Sequence, residues 1–185
     1  MELETTRLRL DALQPADALA LFRYRADPVV ARYQGWQPET LVDADRFIGK
    51  QSAAPAPGTW FQRAIRLHDG ELIGDLGFCL SNDGQAEFGI TVAPPQQGKG
   101  FAREAVQAVL GELFGRLDVR RVHASVDPRN APSMALMRSL GLRQEAHFRE
   151  SLRFRGEWVD DVVFAMLASE WREIAAKNAA MSASR

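Results

Sequence analysis

The stretch Gln96-Gln97-Gly98-Lys99-Gly100-Phe101-Ala102-Arg103-Glu104-Ala105 has the residue types to hold a diphosphate. Glycines at Gly98 and Gly100 let main-chain N–H groups converge with no Cβ in the way. Ala102, Ala105, Val106, Val109, Leu110, Leu113 and Phe114 recur at spacings of three and four, which predicts a long amphipathic helix opening at this turn. Its first turn would add unpaired N–H groups and the positive end of the helix dipole. Two better-known phosphate motifs fail here. The P-loop needs a hydroxyl residue where Phe101 stands, and the dinucleotide fingerprint needs a third glycine where Arg103 stands. A glycine turn serving structure alone remains the competing reading.

The elements around the turn follow from periodicity. Arg7 to Leu10 alternates as a strand, and Leu19, Leu21 and Phe22 carry a helix that Pro28 should stop. Tyr33 to Pro38 reads as a loop exposing Trp36, followed by a helix from Leu41 to about Gln51. From Trp60 the period moves towards two. Strands over Trp60 to Leu67, Glu71 to Leu80 and Ala86 to Val92 are joined by His68-Asp69-Gly70 and Asn82-Asp83-Gly84, an antiparallel meander. After the long helix, Arg121 to Val126 forms a strand, so strand, helix and strand predict a right-handed crossover and a parallel pair. A helix over Pro132 to Leu140 ends at Gly141, and a hairpin over Leu142 to Phe154 and Trp158 to Leu167 completes the sheet. The expected fold is α/β (α+β): a mixed, mostly antiparallel central sheet of about seven strands flanked by helices, with a splayed parallel strand pair at the centre. Residues 1–170 should form a single domain and residues 171–185 a helix end with a flexible tail.

A chain of 185 residues with 46% hydrophobic and 25% charged residues can bury a core without staples. Its net charge of −1 provides no general attraction to nucleic acid or an anionic membrane, and neither is an expected partner. The single cysteine, Cys79, excludes an internal disulfide and points to a reducing, cytoplasmic setting. It lies in an apolar stretch that reads as a buried, inert thiol. His68, His123 and His147 lack metal-ligand spacing, so no metal is expected.

The motif Gln97-x-x-Gly100-x-Ala102 resembles the acetyl-CoA signature of the GNAT superfamily of acetyltransferases. Nearly the whole chain shares the likeness, and it resembles most the ribosomal-protein N-acetyltransferase (RimJ/RimL-type) branch. Thr5-x-Arg7-Leu8-x-Leu10, Glu87-Phe88-Gly89-Ile90, Asn130-x-x-Ser133, Leu140-Gly141-Leu142 and Gly156-x-Trp158-x-Asp160 follow in that branch's order. The resemblance implies that acetyl-CoA is the co-substrate and an amine the acceptor. Main-chain amides of Gln97, Gly98, Lys99, Gly100, Phe101 and Ala102 would hold its pyrophosphate. The pantetheine would pair with main chain at Ile90, Thr91 and Val92, as an added strand does, with an N–H near Val92 polarising the thioester carbonyl. Asn130 would contact the pantetheine, although a helix cap explains it equally well, and Ser133 would lie near the sulfur.

Transfer to an ammonium requires removal of a proton, and Glu87 is the candidate base; a solvent-facing glutamate is the alternative. The pattern departs from the wider family at Met137 and Phe164, where many members carry tyrosines. That leaves Ser133 or water to protonate the leaving thiolate, and transfer should be direct, without an acetyl-cysteine. Substrate selection falls to Trp36 and to Arg153 and Trp158 of the last hairpin, where parity puts Arg149, Arg153 and Arg155 on one face. The acceptor is a primary amine, protein N-terminal or small-molecule. The alternatives are an aminoglycoside-type antibiotic acetyltransferase and a catalytically inactive acyl-CoA-binding protein. A homodimer is compatible with all of these.

Overall fold

Eight strands make one open, mostly antiparallel sheet in the order β1-β2-β3-β4-β5-β6-β8-β7. In this computed structural model the backbone is described for residues 1–183 and the side chains through residue 177. Part of the expected tail, residues 184–185, therefore lies outside the described residues. The chain divides into two compact units, Met1–Leu80 with Phe88–Val109, and Ser81–Glu87 with Leu110–Arg185.

In the first unit, β1 (Leu3–Glu4), β2 (Leu8–Asp11), β3 (Trp60–Leu67) and β4 (Leu72–Leu80) are neighbours. The two-residue β1 is the strand that periodicity could not supply, since two residues show no period. β3 and β4 are buried on both faces for most of their length, and the buried positions include Gln62, Arg63, Arg66 and Asp75. One face packs on α1 (Ala18–Ala26) and α3 (Leu41–Gly49) through Leu13, Leu21, Tyr24, Ala44, Ile48, Ala64 and Leu72. Pro28 does not merely stop α1. It opens a further short helix, α2 (Pro28–Ala31), with Asp27 accepting from the Val29 N–H, because the missing N–H of proline costs nothing in a first turn. α3 starts at a reciprocal box in which Thr40 accepts from the Asp43 N–H and Asp43 accepts from the Thr40 N–H.

Charges are also built into this unit. Asp75 of β4 is 0% exposed and accepts from Tyr24 Oη at 2.7 Å, Arg25 Nε at 3.0 Å and the Gln62 amide. Arg66 of β3 binds Asp17 through both terminal nitrogens, at 2.7 and 2.6 Å, and Asp11 at 2.8 Å. Each charge is taken out of water together with its partners, the condition under which burial is tolerated.

In the second unit, β6 (Arg121–Val126) pairs antiparallel with β8 (Glu157–Leu167) along its whole length, from Arg121↔Leu167 to Val126↔Val162. β7 (Arg143–Phe154) covers the other side of β8, and its register breaks between Phe148 and Leu152, where Glu150 takes φ 45°. α5 (Ala131–Ser139) and α6 (Ala168–Ala183) complete this unit. β5 (Gln85–Val92) and α4 (Phe101–Phe114) run through both units as continuous elements.

Candidate functional site

α4 begins at Phe101, and its first intrahelical bond runs from the Glu104 N–H to the Gly100 carbonyl at 3.1 Å. The N–H groups of Phe101, Ala102 and Arg103 precede that bond and are the orphan donors of the first turn. Gly98 and Gly100 hold φ 74° and 82°, the left-handed region that a side chain resists. A Cβ at Gly98 would meet nothing within 4 Å, so an open approach leads to these donors. Gln97 does not reach outward: its side-chain amide donates to the Val92 carbonyl at 2.9 Å and ties the turn to the end of β5. Lys99 is tied back likewise, its ammonium donating to Gln96 Oε1 at 2.8 Å.

A brace that sequence reading missed supports the turn. Arg7 donates through Nη1 to the Lys99 carbonyl at 3.0 Å and through Nε to Glu104 Oε2 at 2.6 Å. Its guanidinium lies 4.6 Å from the Phe101 ring centroid. Glu104 also accepts from Thr5 Oγ1 at 2.7 Å and the Arg7 N–H at 2.8 Å. Burial pushes the Glu104 carboxyl up, but the bonds from Thr5 and Arg7 outweigh it and hold the group below the usual carboxylate range. A resemblance to the family's first strand singled out Arg7, yet nothing local reveals a partner 97 positions away.

β5 and β6 pair in parallel at Gln85↔Arg121, Ala86↔Val122 and Glu87↔His123. No described pair continues that ladder past Glu87, so Phe88–Val92 carries main-chain groups beyond its end. On the other side, the Ala93 N–H donates to the Ile73 carbonyl at 2.8 Å. Gly74 makes this approach possible: a Cβ there would sit 2.3 Å from the Thr91 carbonyl oxygen. The Thr91 hydroxyl is buried and has no described hydrogen-bond partner.

Glu87 is half-buried, and its ladder partner His123 is half-buried as well. Burial pushes the His123 imidazole down, opposed by the nearby Glu87 charge, so it stays below the usual histidine range. Asn130 caps α5, accepting from the Ser133 N–H at 3.3 Å; the cap reading is thus observed. Met137 is 4% and Phe164 0% exposed. Both are core residues that bring no hydroxyl. Cys79 is half-buried rather than buried, with its thiol 3.8 Å from the Leu80 carbonyl.

The expected acceptor residues are not alike. Trp36 is not exposed: it stacks on Phe47 at 4.3 Å between centroids and packs on the core, because the loop folds over α3. Its remaining surface lines a cavity of about 370 Å³ with Glu39, Asp43, Arg46 and Lys50. Arg25 lies 5.9 Å over Trp36 and donates to Gln34 at 3.0 Å, anchoring this loop to Asp75. Arg153 and Trp158 face each other as ladder partners, with Trp158 61% exposed. The shared arginine face does not form by simple alternation. The break after Phe148 takes up Arg149, and Arg155 leaves the strand at φ 50° to make the turn.

Comparison with known proteins agrees with this geometry. The model of the acetyltransferase (GNAT) domain family matches residues 7–143. An uncharacterised N-acetyltransferase of Bacillus licheniformis, p20, is 32% identical over 91% of this chain and 97% of its own length. A shorter match, 29% identical over 55% of this chain and 54% of the relative, reaches the [ribosomal protein uS5]-alanine N-acetyltransferase of Escherichia coli. The crystal structure of a GNAT-family acetyltransferase from Bacillus anthracis superposes with a TM-score of 0.84 at 27% identity, over 92% of this chain and all of the other.

Proposed function

Because the chain belongs to the GNAT acetyltransferase family, we propose that it transfers an acetyl group from acetyl-CoA directly to a primary amine, with a protein N-terminus as the favoured acceptor. The observation that carries this reading is the open turn at Gly98–Gly100 leading into the orphan N–H groups of α4. Those donors fit a diphosphate, and the main chain of Phe88–Val92 past the ladder fits an extended amide-bearing arm. Acetyl-CoA supplies the thioester; the residues of the chain orient it and remove the proton. The acceptor preference rests on the ordered motifs of the ribosomal-protein branch and on the uS5-alanine relative.

Glu87 is the proton acceptor, directly or through one water, since only a neutral amine has a lone pair to attack with. Glu87→Gln should lower kcat/KM for the amine by about 100-fold at pH 7, with much of the loss recovered at high pH, where free amine is plentiful. A pH–rate profile identical to that of the parent protein would remove Glu87 from the role. Two core residues at Met137 and Phe164 favour a second reading, an acyl-CoA-binding protein without catalysis. Incubation with acetyl-CoA and a panel of peptides, polyamines and aminoglycosides, followed by detection of free thiol, separates the two. Tight CoA binding without thiol release for any amine would establish the second.

The brace provides a further test. Arg7→Ala should weaken acetyl-CoA binding about ten- to hundredfold, the loss of roughly one charge-assisted bond. Glu104→Ala should do the same, and the double variant should be little worse than either, because the pair acts as one unit. Calorimetric titration reads all three, and additive losses would show that Arg7 and Glu104 act separately.

A further inference from the structure

We infer that the ammonium proton is accepted by Glu87 and His123 acting as one carboxylate–imidazole pair, a role for His123 that rests on the transferase reading above. The parallel ladder places the two residues directly beside each other at its last rung. Partners on neighbouring strands share a face of the sheet. The residues flanking them, Ala86, Phe88, Val122 and Ala124, are all buried, which leaves Glu87 and His123 on the half-open face.

The Ala86 main chain hydrogen-bonds the His123 ring, while the buried Nδ1 itself has no described partner. The charged groups that act on the ring are Glu87 from β5, Glu145 from β7 and Arg121 from its own strand. Arg121 donates to Glu145 at 2.6 Å and to Gln85 at 2.7 Å, so Glu145 is already matched by a cation. Glu87 is then the carboxylate left to balance an imidazolium. Burial favours the neutral imidazole, the form that can take up a proton. Imidazoles also titrate nearer neutral pH than carboxylates do, which suits a base working there.

In the step itself, the acceptor ammonium gives one proton to Glu87, directly or through one water, and Glu87 passes it to the neighbouring imidazole. The freed nitrogen lone pair forms the C–N bond to the thioester carbonyl carbon. The C–S bond breaks and its electron pair leaves on sulfur. A second N–H proton neutralises the thiolate, and the imidazolium releases the first proton to water.

Two measurements decide the matter. Proton NMR titration of the His123 ring, assigned by its loss in His123→Gln, should show a midpoint lower by about half a pH unit or more in Glu87→Gln, since the raising charge is gone. An unmoved midpoint would overturn the pair. In steady-state assays with the best amine of the panel, His123→Gln should lose about 10- to 100-fold in kcat/KM at pH 7 and regain rate at high pH, with calorimetric affinity for acetyl-CoA unchanged. An unaltered rate and pH profile would overturn it even if the rings couple. His123→Asn replaces His123→Gln if circular dichroism shows the latter misfolded. If the parent protein acetylates no amine, the transferase reading fails and this inference with it, whereas intact transfer with an inert His123→Gln substitution rejects the pair alone.

Discussion

Gly100→Val will leave the fold intact and reduce acetyl-CoA affinity by at least about 100-fold, or roughly 2.7 kcal/mol. Three effects act together at this position. Gly100 holds φ 82°, which a β-branched residue reaches only at a cost of about 1–3 kcal/mol. Relief of that strain would turn the following N–H groups away from their common focus. A Cβ would also stand 3.4 Å from Arg7 Nη2, pressing on the guanidinium that holds the Lys99 carbonyl. Finally, the valine methyls would occupy the space through which a phosphate approaches. The turn is exposed and buries little, so unfolding by urea should change by far less than binding does. Lys99→Ala is the informative contrast. Its ammonium is held by Gln96, so the affinity should fall by less than about threefold, an exposed-charge effect. Calorimetric titration of both variants checks the assignment. Unchanged affinity in Gly100→Val would refute it.

Arg25→Met should cost about 3–5 kcal/mol of folding stability, the penalty for leaving a buried carboxylate without its counter-charge. Asp75 is wholly buried, and its cation, Arg25, is 7% exposed. Removing the guanidinium leaves only Tyr24 and Gln62 to satisfy the carboxylate. Against a typical total of about 5–15 kcal/mol, the urea midpoint should fall steeply with little change in slope. Arg25→Met combined with Asp75→Leu should be more stable than Arg25→Met alone, because the unpaired charge is gone. The same substitution cuts the bond from Arg25 to Gln34, so the Trp36 loop should loosen and its fluorescence shift to longer wavelength. A loss below about 1 kcal/mol in Arg25→Met would show that the buried pair contributes little.

These two sites differ in how far they can be read without coordinates. The Gly98–Gly100 turn is legible because its signals are local: two glycines, a slim residue and a helical stripe within twenty positions. The Asn130 cap and the strand–helix–strand crossover are legible for the same reason. Alternation also put Glu87 and Gly89 on the less buried face of β5 and gave the hairpin that pairs Arg153 with Trp158. It failed on β7, where a break in register reassigns Arg149, and at Trp36, where packing on Phe47 covers a ring expected in solvent.

The amino-acid order by itself determined most of the elements, the crossover, the glycine turn before α4 and the family, since each depends on residues a few positions apart. Tertiary structure alone decided which distant residues come together: Arg7 with Glu104 and Arg25 with Asp75 as ion pairs, and Glu87 with His123 as ladder neighbours. Strand register and helix docking set those meetings, and both minimise a sum over the whole core that no short window of sequence contains. It also decided that Met137 and Phe164 are buried, so any proton donor for the thiolate must come from elsewhere.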